Sequence, residues 1–278
     1  MKKILIIALC AFSSPASSAT FFVNKIIVTT GRDGRQIQNE FHPEMRGYIQ
    51  LKEPVNTDQI RDNVDIYDID LEDNEQSGVI AAIKSRGIKV VCYFSAGTYE
   101  NWRSDKDTFT QDILGNNLAE WEGERWLDIR SAKTVEIMSK RIDRAANAGC
   151  DAVDPDNVDG YQDNKSGFPL TEADQLKYLN WLSIYAHSKG LKIGLKNVGS
   201  LIQTGSLHKH FDFMINESCY DYQECSQLKP FVEENKWVFI LQYDPAKRTE
   251  YCPLAKNDRY FLSFFNRELD GSEYVTCP

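Results

Sequence analysis

The chain has 278 residues, with 41 acidic and 32 basic side chains and a net charge of −9. An acidic chain without a basic stripe does not suit nucleic acid or anionic membrane surfaces, whereas a polycationic substrate is compatible with it. Beyond the N-terminus, no segment approaches the roughly 20 consecutive apolar residues of a membrane-spanning helix, so membrane insertion of the processed chain is not expected.

The first 19 residues have the three parts of a secretory signal peptide. Two lysines precede the apolar stretch ILIIALCAF, and SSPASSA then supplies small residues, which predicts cleavage after Ala19. A lipid anchor at Cys10 is disfavoured because Leu9 stands where a small residue is needed. The sequence therefore predicts an exported protein, either secreted or periplasmic.

An even number of cysteines remains after this cleavage, which favours disulfides in an exported chain: Cys92, Cys150, Cys219, Cys225, Cys252 and Cys277. The third and fourth are close enough in sequence to close a local loop, and the fifth can tie down the chain end through the sixth. The first two fall in predicted strands and are expected to be buried thiols. Neither these cysteines nor the scattered histidines have metal-site spacing, so no metal or cofactor is predicted.

From residue 47 onward, apolar runs rich in β-branched residues alternate with segments of helical spacing. Helices are predicted at 77–87, 131–149 and 171–190, where apolar residues recur on one face and a Gly or Thr marks an end. Strands are predicted at 47–51, 64–71, 88–97, 150–154, 191–197, 211–219, 236–244 and 259–265.

Eight strands separated by helices predict an α/β protein, a (β/α)₈ TIM barrel forming a single domain over 47–278. Residues 20–46 form a separate N-terminal extension in this interpretation. A doubly wound open sheet is the alternative, but it normally has a Gly-rich phosphate turn after an early strand, and the sequence has none. In a barrel we expect function at the carboxyl ends of the strands, because the loops there build the shared cleft.

Polar residues follow most of the predicted strands at these ends. A lone Asp in such a place is more often a helix cap or turn residue, and a Lys is usually a surface residue. Their coincidence at several strand ends favours a functional site. The residues are Asp68, Asp70, Tyr93, Ser95, Glu100, Trp102, Arg103, Asp154, Asp156, Asn157, Asp159, Lys196, Asn197, Asn216, Glu217, Gln242, Tyr243 and Asp244.

The chemistry suggested by these residues is carboxylate chemistry. The sequence has no G-x-S-x-G elbow and no histidine close behind a strand, which argues against a Ser–His hydrolase. Two carboxylates on facing strand ends with aromatic neighbours fit glycoside hydrolysis, and crowding of like charges raises the pKa of one of them. Trp121, Trp126 and Trp181 are expected to be packing residues and not sugar platforms.

Five blocks of the sequence resemble glycoside hydrolase family 114, the endo-α-1,4-polygalactosaminidase-like family. They read VVCYFSAGTYENWRSD, LGNNLAEWEGERWLDIRS, GCDAVDPDNVDGYQDNKSGFPLTEADQLKYLNWL, AHSKGLKIGLKNVGSL and FDFMINESCYDYQECSQLKPF. The resemblance runs from about Gly47 to Cys277. It implies a metal-free (β/α)₈ barrel that cleaves α-1,4-linked galactosamine polymers, so the expected partner is a cationic hexosamine polysaccharide. We expect the protein to be a monomer.

The resemblance implies that Asp156 and Glu217 are the catalytic pair, with Glu217 as general acid and Asp156 as nucleophile or base. Asp159 is the alternative to Asp156, because loop spacing does not separate them. Three aspartates are expected to be subsite anions for substrate ammonium groups: Asp70, Asp154 and Asp159. The other expected substrate contacts are Tyr93, Ser95, Trp102, Asn157, Lys196, Asn197 and Tyr243.

Two positions depart from the family pattern. Asp154 stands where the family usually has Glu, and Gln242 stands where a Glu is common, which removes one negative charge from the expected cleft. A non-catalytic carbohydrate-binding barrel is therefore a second hypothesis. A related hydrolase that acts on a different polymer is a third, because specificity resides in the loops.

Overall fold

The computed structural model describes residues 20–23, 26–29 and 40–278, which fall into two compact units. The predicted signal peptide lies outside the described residues. The first unit, Met1–Glu40, contains the antiparallel pair of strands β1 (Thr20–Val23) and β2 (Ile26–Thr29). The second unit is Phe41–Pro278.

The second unit alternates strands with helices along the chain. Its strands are β3 (Gly47–Gln50), β4 (Ile66–Asp70), β5 (Lys89–Ser95), β6 (Thr98–Glu100), β7 (Leu114–Asn117), β8 (Glu124–Leu127), β9 (Ala152–Asp156), β10 (Lys192–Lys196), β11 (Phe213–Glu217), β12 (Trp237–Gln242), β13 (Phe261–Phe264) and β14 (Val275–Thr276). Its helices are α1 (Leu71–Asn74), α2 (Val79–Ser85), α3 (Ala132–Ala148), α4 (Glu172–Ser188), α5 (Leu201–Thr204), α6 (Lys229–Glu233) and α7 (Arg248–Asp258).

Eight parallel strands form the barrel, in the order β3-β4-β5-β9-β10-β11-β12-β13. They are the eight predicted strands, and their sequential order is that of a (β/α)₈ barrel and not of a doubly wound sheet. Strand β14 adds to β13 in the antiparallel direction. Near it, Tyr274 Oη donates a hydrogen bond to the Gly47 carbonyl (3.0 Å), which joins the last part of the chain to the first barrel strand.

The amino-terminal end of the barrel is closed by aromatic side chains. Phe41 stacks on Phe213 with ring centroids 4.5 Å apart, and Trp237 packs against both rings. The indole of Trp237 also donates to the Met45 carbonyl (2.9 Å). Phe41 and Met45 belong to the segment assigned to the extension from the sequence, and both are buried in the core of this unit. The barrel is therefore sealed at this end.

The three predicted helices form, and their ends follow the expected capping chemistry. Helix α3 begins after Ser131, whose side chain accepts from the Lys133 amide, and ends at Gly149 with φ 86°. Helix α4 begins with a capping box of Thr171 and Asp174. Helices α1 and α5 to α7 were not predicted. None of the described helices is long and apolar enough to cross a membrane.

A small antiparallel sheet of order β6-β8-β7 is inserted after β5 and was not predicted. Its strands read TYE, LGNN and ERWL, which are short and mostly polar, so they lack the apolar, β-branched signature of the barrel strands. The Leu127 amide donates to the Gly97 carbonyl (2.9 Å), which anchors this insert to the end of β5.

Three disulfides join the six cysteines. Cys219–Cys225 and Cys252–Cys277 are the two expected links. The expectation of buried thiols at Cys92 and Cys150 is wrong, because these residues form the third disulfide with a Cα–Cα distance of 6.1 Å. Strands β5 and β9 are neighbours in the sheet, which brings together two cysteines that are 58 residues apart in sequence.

Candidate active site

Three consecutive barrel strands end on the residues that form the centre of the site. Strand β9 ends at Asp156, β10 at Lys196 and β11 at Glu217. In each case the next residue has a left-handed backbone, a conformation uncommon for residues other than glycine. These residues are Asn157 (φ 58°), Asn197 (φ 58°) and Ser218 (φ 61°). The chain therefore turns directly after each of the three functional side chains.

Lys196 is the buried cation of the site, with 1% of its side chain exposed. Its Nζ lies 3.1 Å from Asp154 Oδ2, 3.5 Å from Asp156 Oδ2 and 3.7 Å from Glu217 Oε1. Burial acts to lower the pKa of Lys196, but the surrounding carboxylates outweigh it and raise the pKa well above the usual value. Lys196 is therefore a permanent positive charge that holds the two expected catalytic carboxylates near each other.

Glu217 is held as an anion by hydrogen bonds in addition to this cation. Asn197 Nδ2 donates to its Oε1 (3.0 Å), and Tyr243 Oη donates to its Oε2 (2.5 Å). The Glu217 amide donates back to Asn197 Oδ1 (2.9 Å), which fixes the orientation of the asparagine. Burial acts to raise the pKa of Glu217, but Lys196, Tyr243 and Asn197 together lower it below the ordinary value.

Asp156 is in the opposite electrostatic situation. Burial raises its pKa to about 6; Lys196 opposes this shift and Glu217 adds to it. Its side chain accepts only a backbone hydrogen bond, from the Asn157 amide to Oδ1 (2.7 Å). Of the two carboxyl groups Asp156 therefore binds a proton more readily in the free protein, whereas the family resemblance assigns the role of general acid to Glu217.

The pKa of Asp156 predicts the pH dependence of a two-carboxylate reaction. Catalysis needs one protonated and one ionised carboxyl group, so kcat/KM is expected to fall about tenfold per pH unit above about pH 6, where Asp156 loses its proton. Initial rates across pH test this, with the substrate amines titrated separately by NMR as the control. A profile that stays flat from about pH 5 to about pH 8 contradicts it.

A second buried carboxyl group lies beneath Lys196. Asp68 on β4 and Asp154 on β9 are both fully buried, and neither oxygen of Asp68 has a hydrogen-bond partner among the described residues. Burial raises the pKa of Asp68 well above its ordinary value, and the charge of Asp154 adds to this shift. Burial and the nearby Asp154 therefore favour the protonated, neutral form of Asp68, whereas Asp154 is the carboxylate nearest to Lys196 (3.1 Å).

This proton distribution predicts unequal effects of two matched substitutions. Asp68→Asn replaces a neutral acid by a neutral amide and is expected to change the free energy of unfolding by less than about 1 kcal/mol. Asp154→Asn removes the anion nearest to Lys196 and is expected to cost about 3 kcal/mol or more. Urea unfolding measures both, and equal losses in the two variants contradict the assignment of the proton to Asp68.

The site opens into a cleft of about 900 Å³ at the carboxyl ends of the strands. One wall is the β6-β8-β7 insert, and the other includes the loop after β13. Seven of the expected contact residues line the cleft: Asp70, Tyr93, Trp102, Asn157, Lys196, Asn197 and Tyr243. Asp156 and Glu217, the expected catalytic pair, line the same cleft.

Several residues take other roles than expected. Asp70 lines the cleft but is no free subsite anion, because Arg103 donates to both of its oxygens (2.8 and 2.5 Å). Asp154 is buried beneath Lys196, and Asp159 is paired with Lys165 (2.7 Å). Neither of these two aspartates is among the residues lining the cleft.

Ser95 and Gln242 also lie away from the cleft. Ser95 is buried and accepts from Asn157 Nδ2 (3.0 Å), so it positions the loop after β9 and does not reach the cleft. Gln242 is fully buried and is not among the lining residues, whereas its neighbour Tyr243 is. Side chains alternate between the two faces of a strand, which places Gln242 on the outer face of the barrel. The expected loss of charge from the cleft at this position is therefore wrong.

Sequence reasoning missed several residues of the cleft wall. Glu100, expected only as a polar strand-end residue, accepts from Arg103 Nε (2.9 Å) and from Arg141 Nη1 (3.2 Å). Trp121 was expected to pack, but 45% of it is exposed and it lines the cleft; Trp126 is buried and lines the cleft as well. Trp181 does pack, between Tyr178 and Tyr185. Glu124 of β8 is buried in the wall and was not singled out.

The comparisons with known proteins agree with this geometry. The model of glycoside-hydrolase family GH114 matches residues 33–277. A structure of Aspergillus fumigatus Ega3 in complex with galactosamine is 39% identical, with 84% of this chain and 96% of that chain covered and a TM-score of 0.78. A comparison with curated protein sequences gave no match.

Two more distant structures share the fold. The glycoside hydrolase domain of PelA from Pseudomonas aeruginosa is 13% identical, with 83% of this chain and 98% of that chain covered and a TM-score of 0.64. Eubacterium rectale Amy13B is 11% identical, with 82% and 66% covered and a TM-score of 0.54. The family match extends over the whole barrel and its candidate active site. The chain belongs to glycoside-hydrolase family GH114.

Proposed function

We propose that this glycoside hydrolase is an exported, endo-acting enzyme that cleaves α-1,4-linked galactosamine-containing polysaccharide, with Asp156 and Glu217 as the two reacting carboxyl groups. The observation that carries the proposal is this pair of carboxyl groups, held on one buried lysine at the floor of an open cleft. An open cleft admits the interior of a polymer chain, which an endo-acting enzyme requires.

The electrostatics of the pair support the two-carboxylate reaction. One carboxyl group protonates the leaving oxygen, and the other stabilises or attacks the positively charged sugar. The pair needs pKa values on opposite sides of the working pH, and the raised pKa of Asp156 and lowered pKa of Glu217 provide this separation. Lys196 compensates part of the negative charge before the substrate arrives.

The charge of the cleft supports a cationic substrate. Nine carboxylic side chains and five lysines and arginines line the cleft. An amino sugar in its ammonium form is therefore attracted electrostatically to the cleft. Trp102 and Trp121 are about half exposed in the wall and offer apolar faces to sugar rings. The galactosamine complex of Ega3 adds independent support for this class of sugar.

Export is supported by the cysteines and the N-terminal sequence. All six cysteines outside the first 19 residues are in disulfides, which persist in secreted and periplasmic proteins and are rare in reducing compartments. The positively charged and apolar start of the chain has the pattern of a secretory signal.

The test of the proposed function is incubation with purified α-1,4-galactosaminan of defined acetylation, with products read by mass. A ladder of internal fragments is the expected result. Binding without any product would favour the carbohydrate-binding barrel instead. The two family departures do not favour that alternative, because neither Asp154 nor Gln242 lines the cleft.

A further inference from the structure

Glu124 is a buried carboxyl group in the cleft wall that the proposed reaction does not use. It lies on β8 with 7% of its surface exposed, and it lines the cleft. Thr98 Oγ1 donates to its Oε2 (2.8 Å). Among residues 40–278, no lysine, arginine or histidine nitrogen lies within 4.0 Å of its carboxylate. Glu124 therefore has a hydrogen-bond donor but no cation.

The other buried acids of the cleft are all neutralised. Asp70 is paired with Arg103, and Asp156 lies 3.5 Å from Lys196. Glu100 stands directly opposite Glu124 in the β6–β8 register, but Arg103 and Arg141 bind its two oxygens. A buried acid without a compensating charge is costly to keep ionised. Glu124 is therefore the position in the cleft wall where a bound ligand cation receives the most electrostatic stabilisation.

A chain of hydrogen bonds points its donors at Glu124. Asn157 Nδ2 donates to Ser95 Oγ (3.0 Å), and the Ser95 and Thr98 hydroxyls are hydrogen-bonded to each other. Because the Thr98 hydroxyl proton is used toward Glu124, Ser95 is the donor in that bond. Successive donors in one direction polarise each other and favour a negative charge at the end of the chain. This opposes burial, which raises the pKa of Glu124 to about 7, with Glu100 adding to the shift. A ligand cation beside Glu124 lowers that pKa again, so cation binding and ionisation of Glu124 occur together at acidic pH.

An aromatic surface lies on the same turn of the chain. The Glu124 amide donates to the Trp121 carbonyl (3.2 Å), so these two residues are fixed relative to each other at the start of β8. Trp121 is 45% exposed and lines the same cleft. An exposed indole and a carboxyl group without a cation in the same cleft wall are suited to a ligand that has an apolar sugar face and one positive charge.

We propose that Glu124 binds the ammonium group of a hexosamine unit of the substrate, in a subsite that Trp121 lines and that is separate from the catalytic pair. This inference rests on the proposed function and names the residue that reads the amino group. An N-acetylated unit has no positive charge to offer at this position. Glu124 would therefore select de-N-acetylated sugar at one defined distance from the bond that is cleaved.

The test is the variant Glu124→Gln with galactosaminan in two forms. On fully de-N-acetylated polymer, kcat/KM is expected to fall about 10- to 100-fold, the range for a lost charge-assisted hydrogen bond. On partially N-acetylated polymer, mass sequencing of wild-type products is expected to show unacetylated sugar at one fixed position from the cleaved bond. The variant is expected to lose that preference, and Glu124→Asp, which keeps the charge, is expected to retain part of it.

The controls separate this inference from the proposed function. Gln retains an acceptor for Thr98, so the melting temperature of the variant is expected to stay within about 4 °C of wild type. Glu44→Gln, an exposed position before β3, is the matched control and is expected to change nothing. If wild type cleaves neither polymer, the proposed function fails. If wild type cleaves both and Glu124→Gln keeps the acetylation preference, the role of Glu124 is wrong while the proposed function stands.

Discussion

Asp156→Asn and Glu217→Gln are each expected to lower kcat on α-1,4-galactosaminan by at least about 10²- to 10⁴-fold, the contribution of a positioned acid, base or nucleophile. Both substitutions keep the size of the side chain and remove its ability to exchange a proton. Because the two groups act on opposite sides of one bond, neither can substitute for the other. The measurement is the initial rate of reducing-end formation at saturating polymer.

Two controls keep this result interpretable. Asp159→Asn changes the acid that sequence spacing could not separate from Asp156. This variant is expected to retain nearly wild-type kcat, because Asp159 does not line the cleft and its carboxylate is paired with Lys165. Circular dichroism and melting temperature confirm folding of all three variants. Wild-type rates in Asp156→Asn or Glu217→Gln would remove that residue from the mechanism.

The same variants assign the two roles. A general acid is dispensable when the leaving group needs no proton, so a galactosaminyl fluoride bypasses the acid variant and not the variant of the other group. The raised pKa of Asp156 and the lowered pKa of Glu217 predict recovery by Asp156→Asn. Recovery by Glu217→Gln instead would restore the assignment made from sequence and would show that substrate binding moves the proton.

Lys196→Met is expected to lower the free energy of unfolding by about 3 to 5 kcal/mol, the cost of removing one partner from a buried ion pair. Methionine fills most of the volume of lysine, so the loss reports mainly charge. Without Nζ, the carboxylates of Asp154, Asp156 and Glu217 repel each other in a poorly solvated environment. Urea unfolding at neutral pH measures the loss.

The pH dependence of the stability loss in Lys196→Met distinguishes repulsion between carboxylates from poor packing. In Lys196→Met the carboxyl groups are expected to bind protons more tightly, so the loss of stability should shrink as pH falls toward about 5. A loss that is independent of pH would indicate a packing defect instead. Lys140→Met, at an exposed position on α3, is the matched control and is expected to stay within about 0.5 kcal/mol of wild type.

The barrel and the position of its cleft were predictable because both leave local marks in the sequence. Strands buried on both faces, such as WVFILQ of β12, require continuous apolar runs, and these were found. Once the strands are placed in barrel order, their carboxyl ends must converge. This order predicts that Asp156 and Glu217 lie close to each other. The glycine and threonine at the ends of α3 and α4 likewise carried their own signals.

Ion pairs and disulfides between residues far apart in sequence have no local sequence signal. Arg103 and Asp70 are 33 residues apart, and nothing in either segment indicates that the arginine takes the charge of the aspartate. The Cys92–Cys150 disulfide depends on which strands are neighbours and on how far each cysteine lies along its strand. Glu124 was missed because its strand is short and polar, and because its lack of a cation is visible only when every neighbour is in place.

The three left-handed residues after β9, β10 and β11 have a consequence for how this enzyme can change. Each turns the chain immediately beyond Asp156, Lys196 or Glu217, so the proposed reacting groups are positioned by the barrel strands and not by the loops that follow. Insertions or replacements in those loops can then alter the polymer that is accepted while the reacting groups stay in place. The reaction can thus be conserved by the strands while the loops change the polymer that is bound. Exchange of these loops between relatives is therefore a direct way to alter substrate specificity.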